Sequence, residues 1–565
     1  RTTCILTFLG IWLASCAPAA VPTPTAKPAA QAPTKAPAAV PTAKPAAPAA
    51  TKAPATAPTA KPAAPAPTPK PAAGQPKYGG ILNRNIRSET PHFDLHTSSS
   101  GIYLYPISPA YSGLVQYDPS NPGKVVPDLA EKWSVSSNGL EYTFVLRQGV
   151  QWHDGSPLTT GDVLLSLQRL RKHAHTGPGL VPVKNVLAPD DSTVKIVLNY
   201  LASSLVNYLA LSWSAIMPKH IIDKKGNMKN DIVGTGAFRF KRFERGSFIE
   251  LDKNPGFFIP KRPYLDGIRT YFIPNEDTAI AALKTGRIDM TITGITDSGA
   301  MRIRETFKGG TAAQFKGGQW RAVYLPVDKS PWTDIRIRRA VHLAVDRQAA
   351  IKVLMGGMAE LGSQVPEALG GIPVAELVKR PGYRQPKDAD IAEAKRLLAE
   401  AGYASGLRTS MLYRKGSEYE SQAVFMADQL RKLDIEIALK TVDDATFYDI
   451  RDKRTYETFS HRRPMSVNEP DDIFMKEYKT GANDNWSNLS DPELDRLIDL
   501  QSREQDPEKR KTVVRQANER IEELATTIML CWAGYWRTWG PQVKDYVLPA
   551  ALYDDEKFID VWLAR

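Results

Sequence analysis

The stretch from Ala130 to Val163, AEKWSVSSNGLEYTFVLRQGVQWHDGSPLTTGDV, constrains the fold more than any other part of the chain. Tyr142, Phe144 and Leu146 alternate with Glu141, Thr143 and Arg147, the period of two that suits a half-buried strand. Asn138-Gly139 ahead of it is a turn signal, and His153-Asp154-Gly155-Ser156-Pro157 after it is a tight polar turn. Thr159 then stands three residues before Asp162, ahead of the apolar positions Val163, Leu167 and Leu170. That spacing predicts a helix opened by a capping box, in which hydroxyl and carboxylate take up the orphan N–H groups of the first turn. Strand, turn, strand, turn, helix is a piece of an α/β domain.

The N-terminal 77 residues have a different character. Arg1 to Ser15 is apolar with Arg1 as its one charge, and Ile5 to Leu13 is too short to span a bilayer as a mature helix. It reads as the apolar region of a secretory signal. Leu13-Ala14-Ser15-Cys16 resembles a lipobox, which implies cleavage before Cys16 and acylation of that residue. Several acyl chains anchor firmly where one is marginal. From Ala17 to Lys77 the chain is almost wholly Ala, Pro, Thr and Lys, with TAKPAA recurring at Thr25, Thr42 and Thr59. Nothing there can build a core, so the segment is expected to be an extended tether. At about 3.1 Å per residue its full reach is on the order of 190 Å.

The formal net charge of +12 would suggest nucleic acid, but residues 1–77 hold Arg1, seven lysines and no acid. The body is therefore close to balanced, and the basic tether suits an anionic lipid or wall polymer. Of three cysteines, Cys4 would leave with the signal and Cys16 would carry lipid. Cys531, within the apolar run Ile528 to Trp532, reads as a buried core thiol, so the mature body must rely on packing rather than disulfides. A body of this size is expected to hold two or more domains.

The order of residues goes further than periodicity. V-x-W-H-D-G-S-P-L-T-x-x-D-V at Val150 to Val163 resembles the signature of the bacterial family 5 extracellular solute-binding proteins, the oligopeptide-, dipeptide- and nickel-binding subunits of ABC importers. Gly149 and Thr160-Gly161 depart from the family pattern at surface turn positions. Further along, four segments repeat the resemblance in order. They are Gly234-Thr235-Gly236-Ala237-Phe238, Asp277 to Asp289, the helix expected over Asp334 to Arg347, and Ala389 to Tyr403.

The resemblance implies an α/β fold of two lobes joined by a hinge of two crossing strands, of the cluster C type with an extra subdomain in the first lobe. The expected division is a signal over 1–15, tether over 16–77, lobe I over 78–318 with an inserted subdomain near 110–230, lobe II over 319–534, and a return to lobe I over 535–565. It implies capture of a peptide-like or other small solute between the lobes. Delivery would be to permease subunits driven by cytoplasmic ATPases, by a monomer anchored on the outer face of the cytoplasmic membrane. No cofactor, metal or nucleic acid is expected. A surface receptor or adhesin on the same scaffold, and an extracellular hydrolase, are the alternatives.

No P-loop, HExxH, CxxC or GxSxG occurs, so no catalytic residue is assigned. Paired acids such as Asp443-Asp444, Asp471-Asp472 and Asp554-Asp555 read as helix caps and turns. His173 and His175 on a Gly/Pro-rich loop lack a third ligand at fixed spacing. Ligand contacts are expected from the polar loop Ser98, Ser99 and Ser100, and from aromatics near the crossings, Trp320, Tyr324, Tyr535 and Trp536. Trp486, Trp532 and Trp539 belong to the same aromatic excess. The informative departure is SHRRPMSVNEPDDI, Ser460 to Ile473. Dipeptide-binding relatives read W-x-G-D-x-x-D-P-D there, and the first Asp pairs with the peptide amine. In this chain Ser466 stands at that Asp and Arg463 at the Trp, so the charge-assisted bond to an ammonium is missing. A ligand with an anionic or sugar-like group near Arg463 is the expectation.

Overall fold

Two long strands, Thr311–Tyr324 and Thr527–Trp539, run antiparallel through the middle of a ten-stranded sheet. The computed structural model describes residues 75–565 apart from Ser99, Ala174, Ala551 and 554–556, so Cys16, the expected signal and nearly all of the expected tether lie outside the described residues. One end of the long pair, Thr311 to Phe315 against Tyr535 to Trp539, continues through Met290–Thr291 to Ile81–Ile86, Gly267–Phe272, Phe248–Lys253 and Phe238–Glu244. The other end, Gln319 to Tyr324 against Thr527 to Ala533, continues through Thr458–Pro464 to Leu407–Arg414 and Ile435–Val442. The register slips between Phe315 and Gln319, where the pair passes from one half of the molecule to the other. The molecule is thus two-lobed, with two strands common to both lobes.

Each half has its own core. The first gathers Leu82, Ile86, Phe144, Trp213, Phe238 and Ile268, and is completed by Val543, Phe558, Val561 and Leu563 from the far end of the sequence. The second half buries both faces of its sheet. Val323, Val341, Met426, Leu530 and Cys531 pack on one face, and Trp320, Tyr324, Phe459, Trp486 and Trp532 on the other. This split follows from side chains alternating along the strands. Cys531 is a fully buried free thiol, and burial pushes its pKa up to about 12.

The opening stretch forms as its pattern predicts. Ala130–Val135 and Glu141–Leu146 belong to a four-stranded antiparallel sheet with Thr193–Leu198 and Val183–Leu187. The helix Thr160–Leu170 opens with the Thr159 N–H and hydroxyl donating to Asp162 Oδ2 at 2.7 and 2.8 Å. Gly236 lets the neighbouring turn come close, since a Cβ there would meet the backbone of Ala110 and Tyr111 at 2.6 Å. The helix expected over Asp334 to Arg347 is shorter. It spans Ile335–Ala344, Val345 is extended, and Asp346 caps a second helix, Arg347–Met355, by accepting from the Ala349 N–H. Asp346 competes for the chain as a cap, which the unbroken apolar periodicity hides. Among the described residues, no helix is long and apolar enough to cross a membrane.

Candidate ligand-binding site

Strand Thr458–Pro464 pairs antiparallel with the crossing strand so that Arg463 lies opposite Trp320 and Arg462 opposite Arg321. Directly paired residues share a face, and neighbours in sequence take opposite faces. The Arg462-Arg463 dipeptide therefore splits across the sheet beside the crossing.

On one face, the Arg463 guanidinium lies 5.0 Å from the Trp486 ring and 5.9 Å from the Trp320 ring. It pairs with Asp484 at 2.7 Å and with Glu477, to which the Tyr324 hydroxyl donates at 3.4 Å. Burial works against the Asp484 charge, yet Arg463 holds its carboxyl below the usual range. For Glu477 burial prevails over the opposing pull of Arg463 and raises the pKa to about 8. The anion expected at Arg463 already has the Asp484 carboxylate in its place, with the Glu477 carboxyl beside it.

Residues 466–472 lie where the two halves meet. Ser466 Oγ is 2.8 Å from His175 Nδ1, and the Ser466 N–H donates to Asp472 Oδ2 at 2.7 Å. Asp472 is also ion-paired with Lys476. Asp471 accepts from Ser204 at 2.6 Å and Ser502 at 3.0 Å. Glu469 bonds Asn207 and pairs with Arg510 at 2.7 Å. His175, Ser204 and Asn207 belong to the first half, so these bonds tie the halves together. The two histidines pack on Trp213, with ring centroids 5.0 and 5.5 Å away, and His175 meets Tyr553 at 4.9 Å. His173 Nε2 donates to the Ser98 carbonyl at 2.6 Å, and burial lowers its pKa to about 4, so it is neutral at pH 7. Among the described residues no group of three or more His, Cys, Asp or Glu is placed to hold a metal.

The other face carries Arg321 and Arg462. Arg462 Nη1 pairs with Glu418 at 3.0 Å, while Arg321 reaches the Glu418 carboxylate only at 3.8 Å and its carbonyl and Gln422 Oε1 only at 3.5 Å. Asp297, from the first half, accepts from Trp536 Nε1 at 2.7 Å. Burial raises its pKa, and the charges of Arg321, Glu418 and Arg462 reach it.

Of the residues singled out in the sequence, Ser98 reaches His173 through its carbonyl, Ser100 is exposed, and Ser99 lies outside the described residues. Trp320 and Tyr324 are 1% and 2% exposed and pack as core, Trp320 against Trp532 and Tyr324 stacked on Phe459 at 4.6 Å. Tyr535 stacks on Phe315 at 5.5 Å. Arg463, Ser466, Tyr535 and Trp536 do gather around the crossing, on different faces. His175, weighed in the sequence only as a metal ligand, and Glu469, within the singled-out segment, join them, and Glu418 and Asp297 do so without a sequence signal of their own. Asp471, read as a cap, instead bonds three side chains, those of Ser204, Gln501 and Ser502.

Residues 124–486 match the family described as bacterial extracellular solute-binding proteins, family 5. A probable deoxycholate-binding periplasmic protein of Escherichia coli is 25% identical over 485 residues, 78% of this chain and 88% of its own length. The periplasmic oligopeptide-binding protein of Salmonella typhimurium is 25% identical over 473 residues, 78% of this chain and 85% of that protein. Among solved structures, an ABC transporter-associated periplasmic binding protein from Helicobacter pylori in complex with the peptide STSA superposes with a TM-score of 0.74. It is 23% identical and covers 86% of this chain and 99% of its own.

Proposed function

The chain belongs to the bacterial extracellular solute-binding proteins of family 5, and on that premise we propose that it is the substrate-binding subunit of an ABC importer for a peptide or similar small solute. The observation that carries this reading is the pair of strands common to both lobes, with side chains of both lobes meeting beside them at Ser466–His175 and Asp471–Ser204. Solute enclosed there loses water on every side, which strengthens each polar contact it makes. Binding energy need only favour the closed arrangement by a few kcal/mol, and the closed form is what a permease pair would read. Anchoring through acylated Cys16 and a basic tether on the outer face of the cytoplasmic membrane completes the proposal.

The ligand does not need a free amine. Ser466 offers a hydroxyl, and each carboxylate in its segment is engaged: Asp472 by Lys476, Glu469 by Arg510, Asp471 by Ser204 and Ser502. An ammonium group would have to displace one of these bonds. Calorimetry with short peptides and their N-acetylated forms tests this. Acetylation is expected to change affinity by less than about threefold, whereas loss of one charge-assisted bond costs about tenfold or more. Sub-micromolar binding that acetylation abolishes would contradict it.

A further inference from the structure

The most poorly satisfied charge at the crossing is Arg321. It is 5% exposed, its contacts to Glu418 and Gln422 are no shorter than 3.5 Å, and its Nε–H has no acceptor among the described residues. Buried donors are rarely left so. Directly opposite it, on the same face, stands a second arginine, Arg462. Like charges paired across strands repel. One carboxylate within ion-pair distance, Glu418, serves both, and it is about two-fifths exposed. The other acid whose field reaches them, Asp297, already accepts from Trp536 Nε1, and burial raises its pKa. Two other buried arginines of this half, Arg338 and Arg347, are provided for by carbonyls. Arg338 donates to the carbonyls of Leu524, Trp332 and Thr333, and Arg347 to those of Met529, His342 and Gly382.

We propose that Arg321 and Arg462 form the seat for a carboxylate of the transported solute, bound at the crossing between the two lobes. A carboxylate is planar and accepts two parallel N–H bonds, so it suits the side of a guanidinium that carries the unused Nε–H. It also brings the negative charge that this face lacks. The helix Ser417–Arg431 starts beside Arg462, with Glu418 and Glu420 in its first turn. Glu418 is the protein's own competitor for the seat. The arginines stand on the two paired strands at the crossing, so an anion bound to them sits where the halves join.

This inference rests on the solute-binding reading and narrows it to acidic solutes. The test uses the full chain with N-acetylglycine, which carries a carboxylate, and N-acetylglycinamide, its neutral counterpart, followed by protein-observed NMR and thermal shift at constant ionic strength. The acid is expected to bind saturably with a Kd of about 1 mM or tighter, at least about tenfold better than the amide. Arg462→Gln and Arg321→Gln should erase that preference, and Glu418→Gln should raise affinity for the acid severalfold. Arg462 is part-exposed, so Arg462→Gln serves if Arg321→Gln does not fold. Equal binding of acid and amide, no saturable binding of the acid, or a preference unchanged in Arg462→Gln overturns the proposal. Native mass spectrometry separates the two readings. A neutral co-purified solute whose retention is unaffected by Arg462→Gln overturns this inference alone, while failure of every solute, charged or neutral, overturns the receptor reading with it.

Discussion

Arg462 and Arg463 stand side by side on one strand, and the two faces they turn toward are organised by different rules. Arg463 lies beside two tryptophan rings, paired with the Asp484 carboxylate and with the Glu477 carboxyl, which the Tyr324 hydroxyl also reaches. Arg462 shares one part-exposed carboxylate with a second arginine. A buried cation with its partners in place is architecture, since removing it strands the partners. A cation pair short of counter-charge is an arrangement that the protein alone does not complete. The same residue type, one position apart, takes either role according to what the long-range pairing places opposite it.

The comparison can be broken most forcefully at Arg463. Arg463→Met leaves the part-exposed Asp484 carboxylate without its cation and the buried Glu477 carboxyl without its donor, and should cost about 2–3 kcal/mol in urea unfolding. A loss comparable to that of a surface pair would mean that the face is not held this way. Next comes the pH dependence of that face. Glu477 titrates at about 8 in the fold against an ordinary 4.5, so the folded state holds its proton longer than the unfolded one. The stability this contributes is whole below about pH 4.5 and is lost as pH rises toward 8, with a slope of at most about 1.4 kcal/mol per pH unit. Glu477→Gln should flatten the urea midpoint over that window. The smallest effect is expected on the other face, where Glu418→Gln should change stability by less than about 1 kcal/mol, because its ion pair is part-exposed. A larger loss there would make Glu418 structural and weaken the contrast.

What the sequence made legible was local. The strand Glu141–Leu146 and the helix start at Thr159 follow from spacing within a few residues. The crossing was legible as a place, near Gln319 and again after Ile528, but not as two continuous strands of fourteen and thirteen residues. The aromatic residues there looked like a cavity wall. Trp320, Tyr324 and Trp532 are core instead, because helices packed on that face supply the apolar partners. The roles of Arg462, Arg463 and Asp471 depend on partners tens to hundreds of residues away, Ser204 and Glu418 among them, and no local pattern records those.

The far-end residues in the first core carry a consequence for biogenesis. Val543, Phe558, Val561 and Leu563 pack with Leu82 and Ile86, across more than 450 positions of sequence. Both halves wait for the C-terminal region, the second for Ile528 to Ala533 and the first for residues further on, to Leu563. The half that is made first is therefore the last to have all of its core residues at hand. A chain held unfinished until its final segment arrives stays open along its N-terminal half during synthesis, the form in which a polypeptide can be threaded across a membrane.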